Sequence, residues 1–317
     1  MSLSEIKSFI KEHDNFAIIG HANPDGDCIG SCLGLWHILT SMGKKAYVKI
    51  NGADFPHHLE FIRTKQAEAD SETVFDAYIA LDCAGLDRLS CCSEEFSACA
   101  NTACIDHHRT NAGFASVNAV IPSAAATGEI IYRLAKEQLG VELDKNAAEC
   151  IYTAIVSDTG GFKYSSTTGD TMRIGADLLD MGIDSAGIYK KLFDTYTKQQ
   201  IDIISDVTST LTTHFNGRVA VISISDELLN ERNMRLDDVD FLVSLPRAIE
   251  GCQVGVFLKK RGDTVKVSLR SGESVDVSEI AARLGGGGHL RAAGITLDAN
   301  LEQAKEIILA EIEKVIQ

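Results

Sequence analysis

Short apolar runs alternating with helical patterns constrain this chain more than any other feature. Runs at 16–20, 45–50, 74–81, 102–105 and 117–121 read as buried strands. Residues 29–42, 125–138, 145–156 and 171–181 carry apolar side chains at helical spacing, and the first of these patterns stops at Gly43. Strands interleaved with helices predict a parallel sheet covered on both faces. In such sheets ligands bind beyond the carboxyl ends of the strands, so the residues that follow each run matter most.

The pattern changes after Asp184. Residues 188–211 read as one or two helices, with Thr195-Tyr196-Thr197 as a possible linker element. Strand patterns follow at 218–225, 252–259, 264–270 and 292–297, with a hairpin turn around Lys260-Arg261-Gly262-Asp263. A helical pattern at 275–284 precedes four glycines, and 301–316 is a closing amphipathic helix. The expected fold class is α/β. An N-terminal parallel-sheet domain with helices on both faces (1–190) leads through a helical linker (191–212) to a smaller α+β domain with a mixed sheet (213–317). A chain of 317 residues exceeds one comfortable core, which agrees with two domains.

The formal net charge of −15 disfavours wrapping duplex DNA, which needs a broad basic surface, but permits a small phosphorylated substrate in a local basic pocket. No run approaches the ~18 apolar residues of a membrane helix. The first fifteen residues, with Glu5, Lys7, Lys11, Glu12 and Asp14, read as an amphipathic helix and not a signal peptide. No membrane partner and a cytoplasmic location are the expectations. Nine scattered cysteines without a CxxC pair read as reduced thiols, mostly small buried hydrophobes.

Four loops carry the chemistry. The first, His21-Ala22-Asn23-Pro24-Asp25-Gly26-Asp27, packs three ligand-type side chains into one turn. The second is Asp82, directly after an apolar run; the third is Asp106-His107-His108; the fourth holds Asp158 within Ser157-Asp158-Thr159-Gly160-Gly161. Any one of them has a structural explanation, since acidic residues commonly cap helices, and Asp27 could be such a cap. Together they read as a metal centre with ligands enough for two divalent ions. Carboxylate and imidazole donors suit Mn²⁺, Fe²⁺ or Co²⁺, with Mg²⁺ less natural. Two such ions ~3.5–4 Å apart are a standard device for hydrolysing phosphate esters by hydroxide attack on phosphorus.

These residues resemble the DHH phosphoesterase superfamily, named for the Asp-His-His triplet, and the match spans nearly the whole chain. The resemblance implies that His21, Asp25 and Asp82 hold one metal and that Asp27, Asp82, His107 and Asp158 hold the other, Asp82 bridging. It also implies that His108 faces the substrate phosphate and that Asp106 supports the histidines. Cys28 follows Asp27 where the family often has alanine, and could make the site sensitive to oxidation.

The C-terminal half is similar to the DHH-associated domain through Gly285-Gly286-Gly287-Gly288-His289-Leu290-Arg291-Ala292-Ala293-Gly294. Gly286, Gly287, Gly288, His289 and Arg291 are the substrate-binding candidates there, because glycines let backbone amides approach a phosphate closely. A flexible turn is the alternative. Arg270 and Ser271 offer a second phosphate-binding candidate, against a surface ion pair for Arg270. Arg109 could fork onto a phosphate, and an ordinary surface arginine is equally compatible.

The stand-alone two-domain architecture is similar to the oligoribonuclease and adenosine 3′,5′-bisphosphate (pAp) phosphatase group. It implies hydrolysis of oligoribonucleotides of about 2–5 nucleotides to mononucleotides and dephosphorylation of pAp to AMP. Alternatives are cyclic di-AMP or pApA hydrolysis, a manganese-dependent pyrophosphatase, and a catalytically silent nucleotide-binding protein. A homodimer is a further possibility.

Overall fold

A computed structural model describes residues 2–50, 55–64, 67, 73–89, 92–272 and 275–316, apart from the side chains of Asp237 and His289. Two compact units divide between Thr195 and Tyr196.

The first unit runs α1 (Leu3–Glu12), β1 (Asn15–Ile19), α2 (Gly26–Ser41), β2 (Lys45–Lys49), β3 (Ala77–Leu81), α3 (Ser93–Ala98), β4 (Thr102–Asp106), β5 (Val117–Val120), α4 (Thr127–Arg133), α5 (Lys145–Asp158), α6 (Gly169–Asp180) and α7 (Ser185–Phe193). Its five strands are all parallel in the order β2-β1-β3-β4-β5. The chain therefore leaves β1 in one direction for β2 and in the other for β3, which creates a switch point at the carboxyl ends of β1 and β3. Successive strand residues face opposite sides. Ile18 and Ile79 enter the main core with Ile29 and Leu33 of α2 and Ile151 of α5, while Ile19, Ala80 and Cys104 pack with Phe96 of α3. The third strand is shorter than its apolar pattern: it begins at Ala77, and Val74 is exposed.

Two helices of this unit depart from the sequence pattern in ways that matter. The helix expected from residue 125 begins at Thr127, where its first amides donate to Asp27, and its last turn widens into a π-helix, Leu134–Leu139, that ends at left-handed Gly140. α2 begins at Gly26 with Asp25 as its N-cap, accepting from the amides of Asp27 and Cys28. The capping role weighed for Asp27 falls to Asp25, which leaves Asp27 aimed elsewhere.

The second unit runs α8 (Lys198–Thr208), β6 (Thr212–His214), β7 (Val219–Ile224), α9 (Asp226–Glu231), β8 (Val254–Arg261), β9 (Thr264–Ser271), α10 (Val277–Arg283), β10 (Gly287–His289), β11 (Ala292–Leu297) and α11 (Leu301–Glu313). Its sheet, ordered β10-β11-β9-β8-β7-β6, is mixed: β7 and β8 are parallel and every other pair is antiparallel. Period-two alternation gives it two cores. Val219, Val221, Val254 and Val256 pack with Ile280, Ile308 and Ile312, while Ile222, Ile224 and Phe257 pack with Ile203 and Val207 of α8. The segment 191–212, read as a linker, is thus divided: its first residues end α7, and α8 is part of the second unit's core. Among the described residues no helix is long and apolar enough to cross a membrane.

Candidate metal centre

The first unit gathers the four loops at the carboxyl end of its sheet. β1 leads to His21, β3 ends at Leu81 just before Asp82, β4 ends at Asp106 and continues into His107 and His108, and α5 ends at Asp158. Asp82 sits at φ +54, a left-handed conformation that a non-glycine residue adopts at a cost of ~1–3 kcal/mol and that recurs at functional sites.

The side chains converge around Asp82 and His107. His107 Nε2 lies 3.8 Å from Asp27 Oδ2, 3.6 Å from Asp82 Oδ1 and 3.6 Å from Asp158 Oδ2. His21 Nε2 lies 3.5 Å from Asp82 Oδ2 and 3.8 Å from Asp25 Oδ1. Among the described residues, donor atoms within 4.8 Å of one another form three groups: His21, Cys28 and Asp82; Asp82, His107 and His108; Asp27, His107 and Asp158. Asp82 belongs to two of them.

Each histidine is oriented through its other nitrogen. His21 Nδ1 is 2.9 Å from the Ala22 carbonyl and His107 Nδ1 is 3.3 Å from the Ala124 carbonyl. A carbonyl only accepts, so Nδ1 carries the proton and the Nε2 lone pair faces the carboxylates, the arrangement a metal-ligating histidine needs. His108 differs: its Nδ1 donates at 2.7 Å to Asp106 Oδ1, leaving Nε2 on the opposite side of the ring. Asp106 is fully buried, and its other oxygen accepts from Asn111 Nδ2 at 2.8 Å.

Charge within the centre is unbalanced. Burial, with Asp82 and Asp158 close by, drives the Asp27 carboxyl well above its usual range, although the amides of Thr127 and Gly128 and the Ser31 hydroxyl all donate to it. Burial also pushes Asp158 up to about 6, opposed by His107 and reinforced by Asp82. Burial favours a neutral His21, yet hydrogen bonding to Asp25 and Asp82 outweighs it and holds the ring above its ordinary value. The hydrogen bond to Asp106 raises His108 in the same way. Buried carboxylates that resist ionisation, packed against imidazoles whose Nε2 atoms face inward and would give up any proton there to a metal, fit divalent cations, which supply the missing positive charge.

Family models match both halves: the N-terminal domain of the DHH family over residues 15–155, and the DHHA1 domain over 216–317. The chain is 36% identical to the bifunctional oligoribonuclease and PAP phosphatase NrnA of Thermus thermophilus, over 94% of this chain and 89% of that protein. It is 28% identical to the protein of the same name from Bacillus subtilis, covering 98% of this chain and 97% of that one. A solved exopolyphosphatase-related protein from Bacteroides fragilis superposes with a TM-score of 0.90 at 29% identity, covering 98% of this chain and 95% of that one.

The chain belongs to the DHH family. Within the DHH centre the structure brings together all six expected metal ligands together with His108 and Asp106. Arg109 follows as an exposed residue.

Three features of the DHH centre escaped sequence reasoning. Thr127 ties two ligands together, its amide donating to Asp27 Oδ2 at 2.7 Å and its hydroxyl to Asp82 Oδ1 at 3.0 Å. Asn111, three residues beyond His108, holds Asp106 and also donates to the Cys83 carbonyl. Gly26, Gly30 and Gly34 form a stripe along α2 at a spacing of four, the one signal that was legible. A Cβ at Gly30 would stand 2.5 Å from the Cys150 carbonyl oxygen, and one at Gly26 would stand 2.3 Å from Ser157 Oγ. The stripe lets α5 approach α2 closely and so carries Asp158 to Asp27.

In the DHHA1 unit the glycine segment is a strand and not a flexible turn. Gly287, Gly288 and His289 pair with Gly294, Ala293 and Ala292 at the sheet edge, leaving Leu290-Arg291 as the connection. Gly288 lies at φ +149, where a Cβ would stand 2.4 Å from the Ala292 carbonyl oxygen. Arg291 donates to the Val275 carbonyl, as does the buried hydroxyl of Ser271, while Arg270 donates to the Leu269 carbonyl. The His289 side chain lies outside the described part of the structure.

Proposed function

We propose that this protein is a metal-dependent phosphoesterase that hydrolyses short oligoribonucleotides to mononucleotides and removes phosphate from pAp. The observation that carries the reading is the clustering of His21, Asp27, Asp82, His107 and Asp158 in overlapping donor groups that share Asp82 and His107, with Asp25 beside His21, in a chain that spans nearly the full length of relatives named for those two activities.

His21, Asp25 and Asp82 would hold one divalent ion, and Asp27, Asp82, His107 and Asp158 the other. Mn²⁺ suits their nitrogen and carboxylate donors. Bound there, such ions would supply charge neutralisation at phosphorus and lower the pKa of a water. The chain's own contribution is orientation. Asp106 holds the His108 ring through Nδ1–H and favours its protonated form, so that Nε2–H would be available to the substrate phosphate, and Asn111 keeps Asp106 in place. Thr127 holds Asp27 and Asp82 at a fixed separation. In the first unit Arg109 is a proposed phosphate contact; in the second unit Arg270, Arg291, His289 and the amides of Gly286, Gly287 and Gly288 are the proposed nucleotide-binding groups, with Ser271 bracing the end of β9 through the Val275 carbonyl.

The test is a substrate panel with Mn²⁺: a ribodinucleotide, pAp, pApA, cyclic di-AMP, longer RNA and pyrophosphate. Turnover of the dinucleotide and pAp is expected. Two bound Mn²⁺ without turnover of either would sink the proposal, and preference for cyclic di-AMP or pApA would redirect it.

A further inference from the structure

Among the described residues, five buried cysteines occupy the first unit: Cys28, Cys32, Cys83, Cys104 and Cys150. Four of them can be treated as small apolar side chains. Cys28 cannot, because its sulfur lies among the residues assigned to the first metal. Cys28 Sγ, a ring nitrogen of His21 and a carboxylate oxygen of Asp82 are all within 4.8 Å of one another. Donors bonded to one first-row ion at ~2.0–2.3 Å stand roughly 3–4.5 Å apart, so a grouping bounded at 4.8 Å needs only a small side-chain adjustment to share one coordination sphere.

Two local features hold the sulfur there. Cys28 lies in the first turn of α2, and its amide is bound by the Asp25 cap, which fixes where its side chain starts. On the other side, Gly20 leads from β1 to His21, and a Cβ there would stand 2.3 Å from Cys28 Sγ. The sulfur thus fills the space that any other residue at position 20 would take.

We propose that Cys28 is a thiolate ligand of the ion held by His21, Asp25 and Asp82. The inference rests on the two-ion reading above and makes the two positions chemically different. The second position has nitrogen and oxygen donors only. The first gains sulfur and prefers a thiophilic ion such as Zn²⁺, Co²⁺ or Fe²⁺ over Mn²⁺. Ligation breaks the S–H bond, releases the proton to solvent and forms a sulfur–metal bond from the sulfur lone pair, so no oxidant is required.

The experiment uses the full chain loaded with Co²⁺, with metal content measured directly. A thiolate-to-cobalt charge-transfer band in the near ultraviolet is expected for the wild type and is expected to vanish in Cys28→Ala and Cys28→Ser. The Zn²⁺-to-Mn²⁺ affinity ratio at the first position should fall at least about tenfold in Cys28→Ala. X-ray absorption on the zinc-loaded wild type should place a sulfur scatterer at ~2.3 Å, a measurement that needs no folded variant. Bound cobalt with no charge-transfer band, or a band that survives in both variants, overturns the assignment of Cys28 and leaves the metal centre standing. A protein that binds no cobalt overturns the metal centre and this inference with it.

Discussion

The acidic centre of the first unit and the glycine hairpin of the second position their candidate groups by opposite means. In the centre, side chains that follow β1, β3 and β4 or lie on α2 and α5 meet, and three of them are held by hydrogen bonds to residues distant in sequence: Asp27 to Thr127 and Gly128, Asp82 to Thr127, His107 to Ala124. In the hairpin the geometry belongs to the backbone, set by the pairing of 287–289 with 292–294 and by the one glycine at φ +149. Damage to a convergent site should spread through shared partners, whereas damage to a backbone-defined site should stay local.

Removing the shared ligand gives the largest effect. Asp82→Ala should lower turnover by roughly 10³-fold or more, because Asp82 stands in two of the three donor groups. A rate equal to wild type, measured on a ribodinucleotide with Mn²⁺, would overturn the metal assignment. Thr127→Val keeps the amide to Asp27 and loses the hydroxyl to Asp82, so metal affinity measured by calorimetry should fall by roughly 10–100-fold.

Two glycine substitutions test whether effects spread. Gly30→Ala places a methyl against the α5 backbone and should cost about 1–3 kcal/mol in chemical denaturation. It should also weaken metal binding by displacing Asp158. Gly288→Ala should cost a similar ~1–3 kcal/mol in the second unit, from its backbone conformation and the close Ala292 carbonyl, with metal affinity unchanged. Weaker metal binding in Gly288→Ala would break the separation between the regions.

The smallest effect concerns pH. Asp158 is raised from 3.8 to about 6 in the metal-free protein, so the folded state binds the extra proton between those values. Its ionisation therefore destabilises the metal-free fold as pH rises through that window. Asp158→Asn should match wild type below the window and melt higher above it, and the order should reverse when Mn²⁺ is present. Melting curves of the two proteins at several pH values check both signs.

The strands and most helices were legible because burial on a sheet and on a helix imprints periods that survive in sequence. The failures arise where the outcome depends on something outside the local pattern. Val74 extends the apolar run of β3, but the strand begins at Ala77 beyond it. The start of α4 is fixed by Asp27, a hundred residues earlier, so the pattern around residue 125 could not reveal it. The glycine segment reads equally as a turn or as an edge strand until its partner 292–294 is known.

The sequence by itself determined which donor types the protein carries and that they stand at the ends of strands and helices, because local periodicity fixes where each element stops. Only the tertiary structure decided that His21, Cys28 and Asp82 share one neighbourhood and Asp27, His107 and Asp158 another. That outcome depends on β1 lying between β2 and β3 and on the glycine stripe that admits α5 to α2. Strand order and helix approach are relations between distant segments, set by the packing of the whole core, and no local pattern encodes them.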